Sequence, residues 1–527
     1  MSPRRLVVTF AFLAFAANCP GQTTLTVPGS HATIQAAINA AADGDTVEVA
    51  PGTYAESIDF AGKTIHVTST GGAAVTTIDA SSTTTSAVVL RTSEGVGTQL
   101  SGFTVVGGSG WGVGVADKKG GGLYATGVSL RVNDCVFSAN EADVGSAVYV
   151  QQSDHIVFED CTIEANAATE YSTFVVIHTT LLEMLRCDVL NNISNLSPLG
   201  AWLYNDLSII DGCRFAGTTA PPDPGANGGA LSVGAFTTGI SATPPQAEIR
   251  NCVFEDNMFP GGGAAIALVS GTHTVEDCVF GAHPGTPLLF DGANGSVSRC
   301  LFYGSMSSGA TALQTTVNPA VIDIDHCTIG DGVGFLAAIR LGGSTTATLS
   351  NTIIWDTSTQ MPIGTFASTV VTATYCNILG GFPGVGNFDT DPAFTSPATG
   401  GYHLTAGSPC IDTGDPTSPL DPDGSLPDVG AFPFGILFLR GDSNTDGVLD
   451  LGDVVRILND LFGGSGAASL CADASDANDD GGEDIADAVF LLTFLFGGGP
   501  TPPAPGQSCG ADATADALDC LTASAGC

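Results

Sequence analysis

The octapeptide NDCVFSAN, residues 133 to 140, returns 26 residues later as EDCTIEAN and again, more loosely, as LRCDVLNN. Aligned on the cysteine, Cys135, Cys161, Cys187 and Cys213 follow at steps of 26. After a Pro/Gly-rich insertion around Pro221 to Gly229 come Cys252, Cys278, Cys300 and Cys327; Asn351 takes the slot once, and Cys376 closes the series. This repeat constrains the fold more than anything else in the chain. A single core stops growing near ~250–300 residues, so 527 residues would otherwise divide into several domains, whereas a stack of short repeats can continue indefinitely.

The neighbours of each cysteine keep the register. Two residues after it lies Phe137, Ile163, Val189, Phe215, Phe254, Phe280, Phe302, Ile329 or Ile378, and three before it Val132, Phe158, Met184, Ile210, Ile249, Val275, Val297 or Ile324. Alternation with a period of two marks strands with one buried face, and the polar pair that resets the phase, such as Asn133-Asp134 or Glu159-Asp160, marks a corner. A third strand precedes these, with small-residue starts such as Gly122-Leu123-Tyr124 and Gly263-Ala264-Ala265-Ile266. Three short strands and three corners predict a coil of about 22 to 27 residues, stacked as a parallel β-helix with the cysteines as an interior ladder. A composition of 69 glycines, 43% apolar and only 13% charged residues agrees with many short strands and tight turns.

Parallel in-register thiols ~4.8 Å apart hold their Cβ vectors side by side, which disfavours disulfides, and a column on one face offers no tetrahedral zinc cage. The ladder therefore reads as small apolar filler. Asn140, Asn166, Asn192 and Asn257, five residues after their cysteines, read as a second stack whose side chains bond neighbouring backbone at a corner.

The amino end carries Arg4-Arg5, an apolar run from Leu6 to Ala17 and the triplet Ala14-Phe15-Ala16, the pattern of a secretory signal over residues 1–22 and too short to span a bilayer. Cys19 leaves lipid anchoring as an alternative, although Asn18 stands where such signals carry a smaller residue. No other stretch is long and apolar enough for a membrane span, and export would permit disulfides. The net charge of −39 opposes nucleic acid, anionic lipid and polyuronate, and favours cations.

SHATIQAAINAAADGDTVEVAPGTY, residues 30 to 54, begins polar, continues as a short amphipathic helix with Ile34 and Ile38 one turn apart, and passes into a strand from Thr46 to Val49. This segment resembles the capped first coil of the pectin-lyase-like, right-handed parallel β-helix superfamily. NFDTDPAF (387 to 394), GYHLTAGSPCIDTGDP (401 to 416) and DPDGSLPDVGAF (421 to 432) are similar to the closing segment of secreted bacterial β-helix proteins, with Cys410 out of step with the ladder. The resemblance covers residues 23–435 and implies fold more than function.

Residues 436–527 read differently. DSNTDGVLDLGD (442 to 453) is echoed 34 residues later by DANDDGGEDIAD (476 to 487), each with oxygen ligands at loop positions 1, 3, 5, 9 and 12 and Gly at 6. That spacing wraps a hard cation, and calcium is the predicted cofactor. One site would use Asp442, Asn444, Asp446, Asp450, Asp453 and the Val448 carbonyl; the other Asp476, Asn478, Asp480, Asp484, Asp487 and the Gly482 carbonyl. Apolar helices are predicted from Val454 to Phe462 and from Ala488 to Phe496, packing together. Asp at position 12, where an EF-hand usually has Glu, and the absence of a clear helix before the first loop make the pair resemble a dockerin, which implies a cohesin-like or cell-surface partner. At positions 10 and 11, Leu451-Gly452 and Ile485-Ala486 depart from the hydroxyl pair of well-known dockerins and put cohesin recognition in doubt. Cys471, Cys509, Cys520 and Cys527 surround the loops and are expected to be oxidised, in a pairing the sequence leaves open.

No GxSxG or HExxH occurs, and the eight histidines show no recurring spacing. Gly52-Thr53-Tyr54-Ala55-Glu56 matches the GxYxE of pectin methylesterases without partner motifs. Asp134 and Asp160, one residue before their cysteines on adjacent rungs, form the one candidate carboxylate pair, against a plain reading as a solvated column of turn residues. The resemblance implies a secreted protein that binds or processes polysaccharide, as a lyase or glycoside hydrolase if it is an enzyme; the alternative is a noncatalytic surface or adhesion scaffold.

Overall fold

The computed structural model describes residues 22–112, 117–194, 201–219, 229–234, 244–259, 262–304, 311–332, 337–358, 361–366, 368–422, 424–435, 437–462, 471–510, 518 and 520. The predicted signal through residue 21, with Cys19, the core of the insertion (221–228) and Cys527 lie outside them.

Three parallel sheets wind around one core. Sheet 1 runs through 14 strands from Thr24–Val27 to Val370–Thr374, sheet 2 through 12 from Ile58–Asp59 to Ile363–Thr365, and sheet 3 through 13 from Gly52–Tyr54 to Asn377–Ile378. Every strand pairs with its equivalents one coil before and after, so the repeat in the sequence becomes register in space. The positions three before each cysteine stack in sheet 1, as in Val132 on Phe158, Phe158 on Met184 and Met184 on Ile210. Those two after it stack in sheet 3, as in Phe137 on Ile163 and Phe254 on Phe280. Inside, Phe215, Phe254, Phe280 and Phe302 form a continuous parallel stack with ring centroids 5.0, 5.3 and 4.5 Å apart.

The corner between sheets 1 and 3 explains the cysteine. The residue before it is left-handed on every rung, from Asp134 to Tyr375, with φ between 46° and 63°. For a non-glycine residue that conformation costs about 1–2 kcal/mol, and the interlocked coils hold it: Asp160 N–H still donates to Leu185 O at 3.0 Å and Thr162 N–H to Cys135 O at 2.9 Å. Within the bend a short side chain must fill the core and meet bent carbonyls. Cys161, Cys187 and Cys213 do so with Sγ at 3.5, 3.5 and 3.4 Å from the carbonyl oxygens of Val132, Phe158 and Met184. The ten ladder and closing-segment cysteines are buried free thiols. One slot is corrected: Asn351 is the left-handed corner residue (φ 48°), and Thr352 occupies the cysteine position, its Oγ1 accepting Cys327 N–H at 3.2 Å and donating to Ser350 O at 2.8 Å.

The asparagine stack forms as expected. Asn166 Oδ1 accepts Asn140 N–H at 3.1 Å, Asn192 Oδ1 accepts Asn166 N–H at 3.0 Å, and each amide donates to a carbonyl in the coil below. All four asparagines are fully buried.

At the amino end helix α1 (Ile34–Ala40) places Ile34, Ala37 and Ile38 on the first coil. After the last coil the chain doubles back along the outside of sheet 3. Tyr402 and Phe432 cover Leu301, Leu404 and Val429 cover Ile353, and Ala431 N–H donates to Thr328 Oγ1 at 2.9 Å. Beyond it lie α2 (Leu451–Phe462), α3 (Ala472–Ser475) and α4 (Ile485–Gly497). α2 and α4 pack through Val454, Ile457, Ala488 and Leu491, and both begin three residues before the predicted starts, so loop positions 10 to 12 already belong to the helices. No helix among the described residues is long and apolar enough to cross a membrane.

Candidate metal centre and solenoid surface

The two predicted calcium loops share one hydrogen-bond frame. At position 1, Asp442 accepts the amides of Asp446 and Gly447, each at 3.1 Å, and Asp476 accepts those of Asp480 at 3.1 Å and Gly481 at 2.8 Å. At position 12, Asp453 accepts from Asp450 at 2.8 Å and Asn444 at 3.4 Å, and Asp487 from Asp484 at 2.8 Å and Asn478 at 3.1 Å. The chain turns through left-handed residues at position 4 (Thr445, φ 58°; Asp479, φ 61°) and at the expected glycine of position 6 (Gly447, φ 83°; Gly481, φ 86°).

The frame puts negative charge where water is scarce. Asp442, Asp453, Asp476 and Asp487 are fully buried. Burial, reinforced by Asp442 and Asp446, pushes the Asp453 carboxyl up to about 7, and burial with Asp476 nearby pushes Asp487 up to about 6. Asn478 Oδ1, at position 3 of the second loop, is buried with no hydrogen-bond partner. Among the described residues no three His, Cys, Asp or Glu side chains already converge as a cage. The carboxylates hold loop amides, and each such oxygen keeps a second lone pair. An orphaned amide oxygen, buried carboxylates and an all-oxygen donor set fit calcium.

Arg440 was invisible to motif reading and organises the module. Fully buried, it donates to the carbonyls of Asp473 and Asp476, each at 3.0 Å, and of Ala504 at 3.0 Å, and pairs with Asp479 at 3.1 Å. It thereby ties the turn entering the first loop to the backbone entering the second. Cys471 and Cys520 are disulfide-bonded to each other, and Cys509 is also oxidised.

On the solenoid, Asp134 and Asp160 stand at successive exposed corners. Both oxygens of Asp160 are engaged by the Arg186 guanidinium one rung on, at 2.7 and 2.9 Å. The same device recurs where Arg299 meets Asp277 at 2.6 Å. Glu56 of the GxYxE fragment caps α1, accepting Ile34 N–H at 2.9 Å and Gln35 N–H at 3.0 Å, while Tyr54 donates to Ala50 O at 2.8 Å. An aromatic column lies on the outside of sheet 2, where Tyr124 stacks 6.1 Å from Trp111 and 5.9 Å from Tyr149, and Arg91 sits 4.4 Å over the indole.

Three parallel sheets, a register kept from coil to coil apart from a shift between Gly262 and Ile266, and left-handed corners define an all-β, right-handed parallel β-helix. Residues 61–295 match the family described as the right handed beta helix region. Among solved structures the chain is similar to the catalytic unit of a GH87 α-1,3-glucanase from Streptomyces thermodiastaticus, at 14% identity and TM-score 0.38 over 71% of this chain and 70% of that one. It is similar to pectate lyase Pel9A at 14% identity and TM-score 0.37 (79% and 98% covered), and to a rhamnogalacturonan lyase at 13% and 0.32 (78% and 96%). No curated protein matches the chain.

Proposed function

We propose that this chain is a secreted, calcium-binding β-helix protein that engages extracellular polysaccharide through its solenoid, with the duplicated loops as a dockerin-like attachment module. The observation that carries the calcium reading is the repeated frame: buried carboxylates at positions 1 and 12 of both loops, and an unpartnered Asn478 oxygen between them in sequence. Calcium would supply the positive charge these carboxylates lack, held by Asp442, Asn444, Asp446, Asp450 and Asp453 in one loop and Asp476, Asn478, Asp480, Asp484 and Asp487 in the other. The polysaccharide reading draws on the resemblance of the first and closing coils. Engagement of Asp160 by Arg186 favours binding without cleavage, the noncatalytic scaffold, over a carboxylate pair.

Calorimetric titration of the full mature chain with calcium tests the first part, with two ions expected; absence of binding would sink it. Retention of neutral and acidic polysaccharides, with product release assayed in parallel, tests the second. Retention without products supports the scaffold, products abolished by Asp160→Asn make the chain an enzyme, and no retention removes polysaccharide from the proposal.

A further inference from the structure

The two ends of the solenoid are finished differently. At the amino end the first strand of sheet 2, Ile58–Asp59, has its outward backbone satisfied by α1: Gln35 Oε1 accepts Asp59 N–H at 2.7 Å, and Gln35 Nε2 donates to Asp59 O at 3.0 Å. At the far end the chain folds over two of its three edges. Tyr375 N–H donates to Val385 O at 2.8 Å and Asn387 Nδ2 to Ala373 O at 3.0 Å, covering the end of sheet 1, and Ile378 N–H donates to Phe388 O at 3.0 Å over sheet 3. Sheet 2 ends on Ile363–Thr365, which pairs with Ile339–Leu341 and, among the described residues, with no strand beyond. Ile339 N–H donates to Pro362 O at 3.1 Å and Phe366 N–H to Leu341 O at 2.9 Å. Successive residues of a strand turn their backbone groups to opposite sides, so those of Ile363 and Thr365 point past the last coil. An unpaired edge of this kind is a template for another strand.

Its surroundings are apolar and uncharged. Met361 and Phe366 flank the strand, each 51% exposed, and Val370 and Val385 at the same end are more exposed still. Residues 357–388 contain no Asp, Glu, Lys or Arg, in a chain that is 13% charged and carries a net charge of −39. The closing segment leaves this end bare, because it runs back along sheet 3. A charged partner finds no handle here. A second copy, by contrast, meets a face on which two strongly acidic molecules approach without opposing like charges.

We propose that this end is a self-association surface: two copies join tail to tail about a twofold axis normal to sheet 2 at Gly364, their Ile363–Thr365 strands pairing antiparallel. The twofold reverses the strand on itself, so Ile363 stands opposite the partner's Thr365. Both residues already present N–H and C=O outward, and each such pair exchanges two backbone hydrogen bonds. The exposed apolar side chains around the strand pack across the joint, and sheet 2 continues from one molecule into the next.

The test uses the full mature chain. Sedimentation across a micromolar dilution series should show a monomer–dimer equilibrium that tightens as salt rises, because screening relieves the repulsion between two acidic molecules and breaks no ion pair. Hydrogen exchange of residues 361–366 should slow by roughly tenfold or more as the dimer fills. Met361→Asp, which puts a carboxylate on each side of the joint, and Thr365→Pro, which removes an outward N–H, should each be monomeric where the parent is dimeric, with native circular dichroism. Tyr171→Asp, equally exposed in the middle of the solenoid, should dimerise as the parent does. The proposal is overturned if the chain stays monomeric throughout the series, if the dimer weakens as salt rises, if exchange of residues 361–366 is indifferent to concentration, or if the dimer survives both Met361→Asp and Thr365→Pro.

Discussion

His283 sits where the asparagine stack would place its next member, five residues after Cys278, and its Nε2 lies 3.2 Å from Phe254 O as Asn257 Nδ2 lies 2.8 Å from Phe215 O. An imidazole there cannot take up a proton cheaply. Burial pushes His283, and likewise His273 and His403, down to about 4. In the unfolded chain these groups titrate near ~6.5, so between the two values the unfolded state binds more protons. Their contribution is full above pH ~6.5 and is lost as pH falls toward 4. The solenoid's urea midpoint should therefore drop from pH 7 to pH 5, and His283→Asn should flatten that drop by about one proton's worth while keeping the carbonyl bond. Asn166→Ala, by contrast, strips a donor and an acceptor from a buried stack and should cost about 2–4 kcal/mol at pH 7 by the same denaturation measurement. The ten ladder and closing-segment thiols are buried, several with their acidity suppressed by burial, as for Cys135 at about 12. They should stay silent to a thiol reagent in native buffer and react together on unfolding. The ladder was legible as a ladder because its period survives in the letters. The Asn351 slot was misread because asparagine is also a favoured left-handed corner residue, and one missing residue of spacing turns a corner into a core position.

Among the elements, α1 and the strand Thr46–Val49 were legible from capping and alternation, and the structure adds the partner that seats the helix, Glu56. Glu56→Ala should cost about 0.5–2 kcal/mol through the freed amides of Ile34 and Gln35, measured as earlier loss of the first coils in hydrogen exchange, with the tail unaffected. The tail helices were legible as apolar runs after each loop, but their starts were set late because an acidic loop and an acidic first turn look alike in sequence. The Cys471–Cys520 bond closes a separation of 49 residues, so its loss should cost the module about 4 kcal/mol. Reduction should lower the module's melting transition and leave that of the solenoid, whose thiols are free, in place. The destination of the closing segment was not legible. Outward-facing Val253, Val279, Leu301 and Ile353 on sheet 3 announce a covered surface, but nothing in the local pattern says which part of the chain returns to cover it.

At the scale of the whole molecule, the return of the chain decides where force would enter. A solenoid hung by its last coil would be pulled open rung by rung from that end, each coil meeting the load alone. Here the covalent path leaves the last coil, runs back outside sheet 3, and reaches the module beside Asp188 and Arg214, near the middle of the stack. If the module is the point of attachment, tension passes first through the cleft and the strap of Tyr402, Val429 and Phe432, which must slide along the sheet before any coil feels it. The strap acts as a strain relief: a tug on the tail is spread as shear over several rungs, and the closing coil is the last part of the molecule to be loaded.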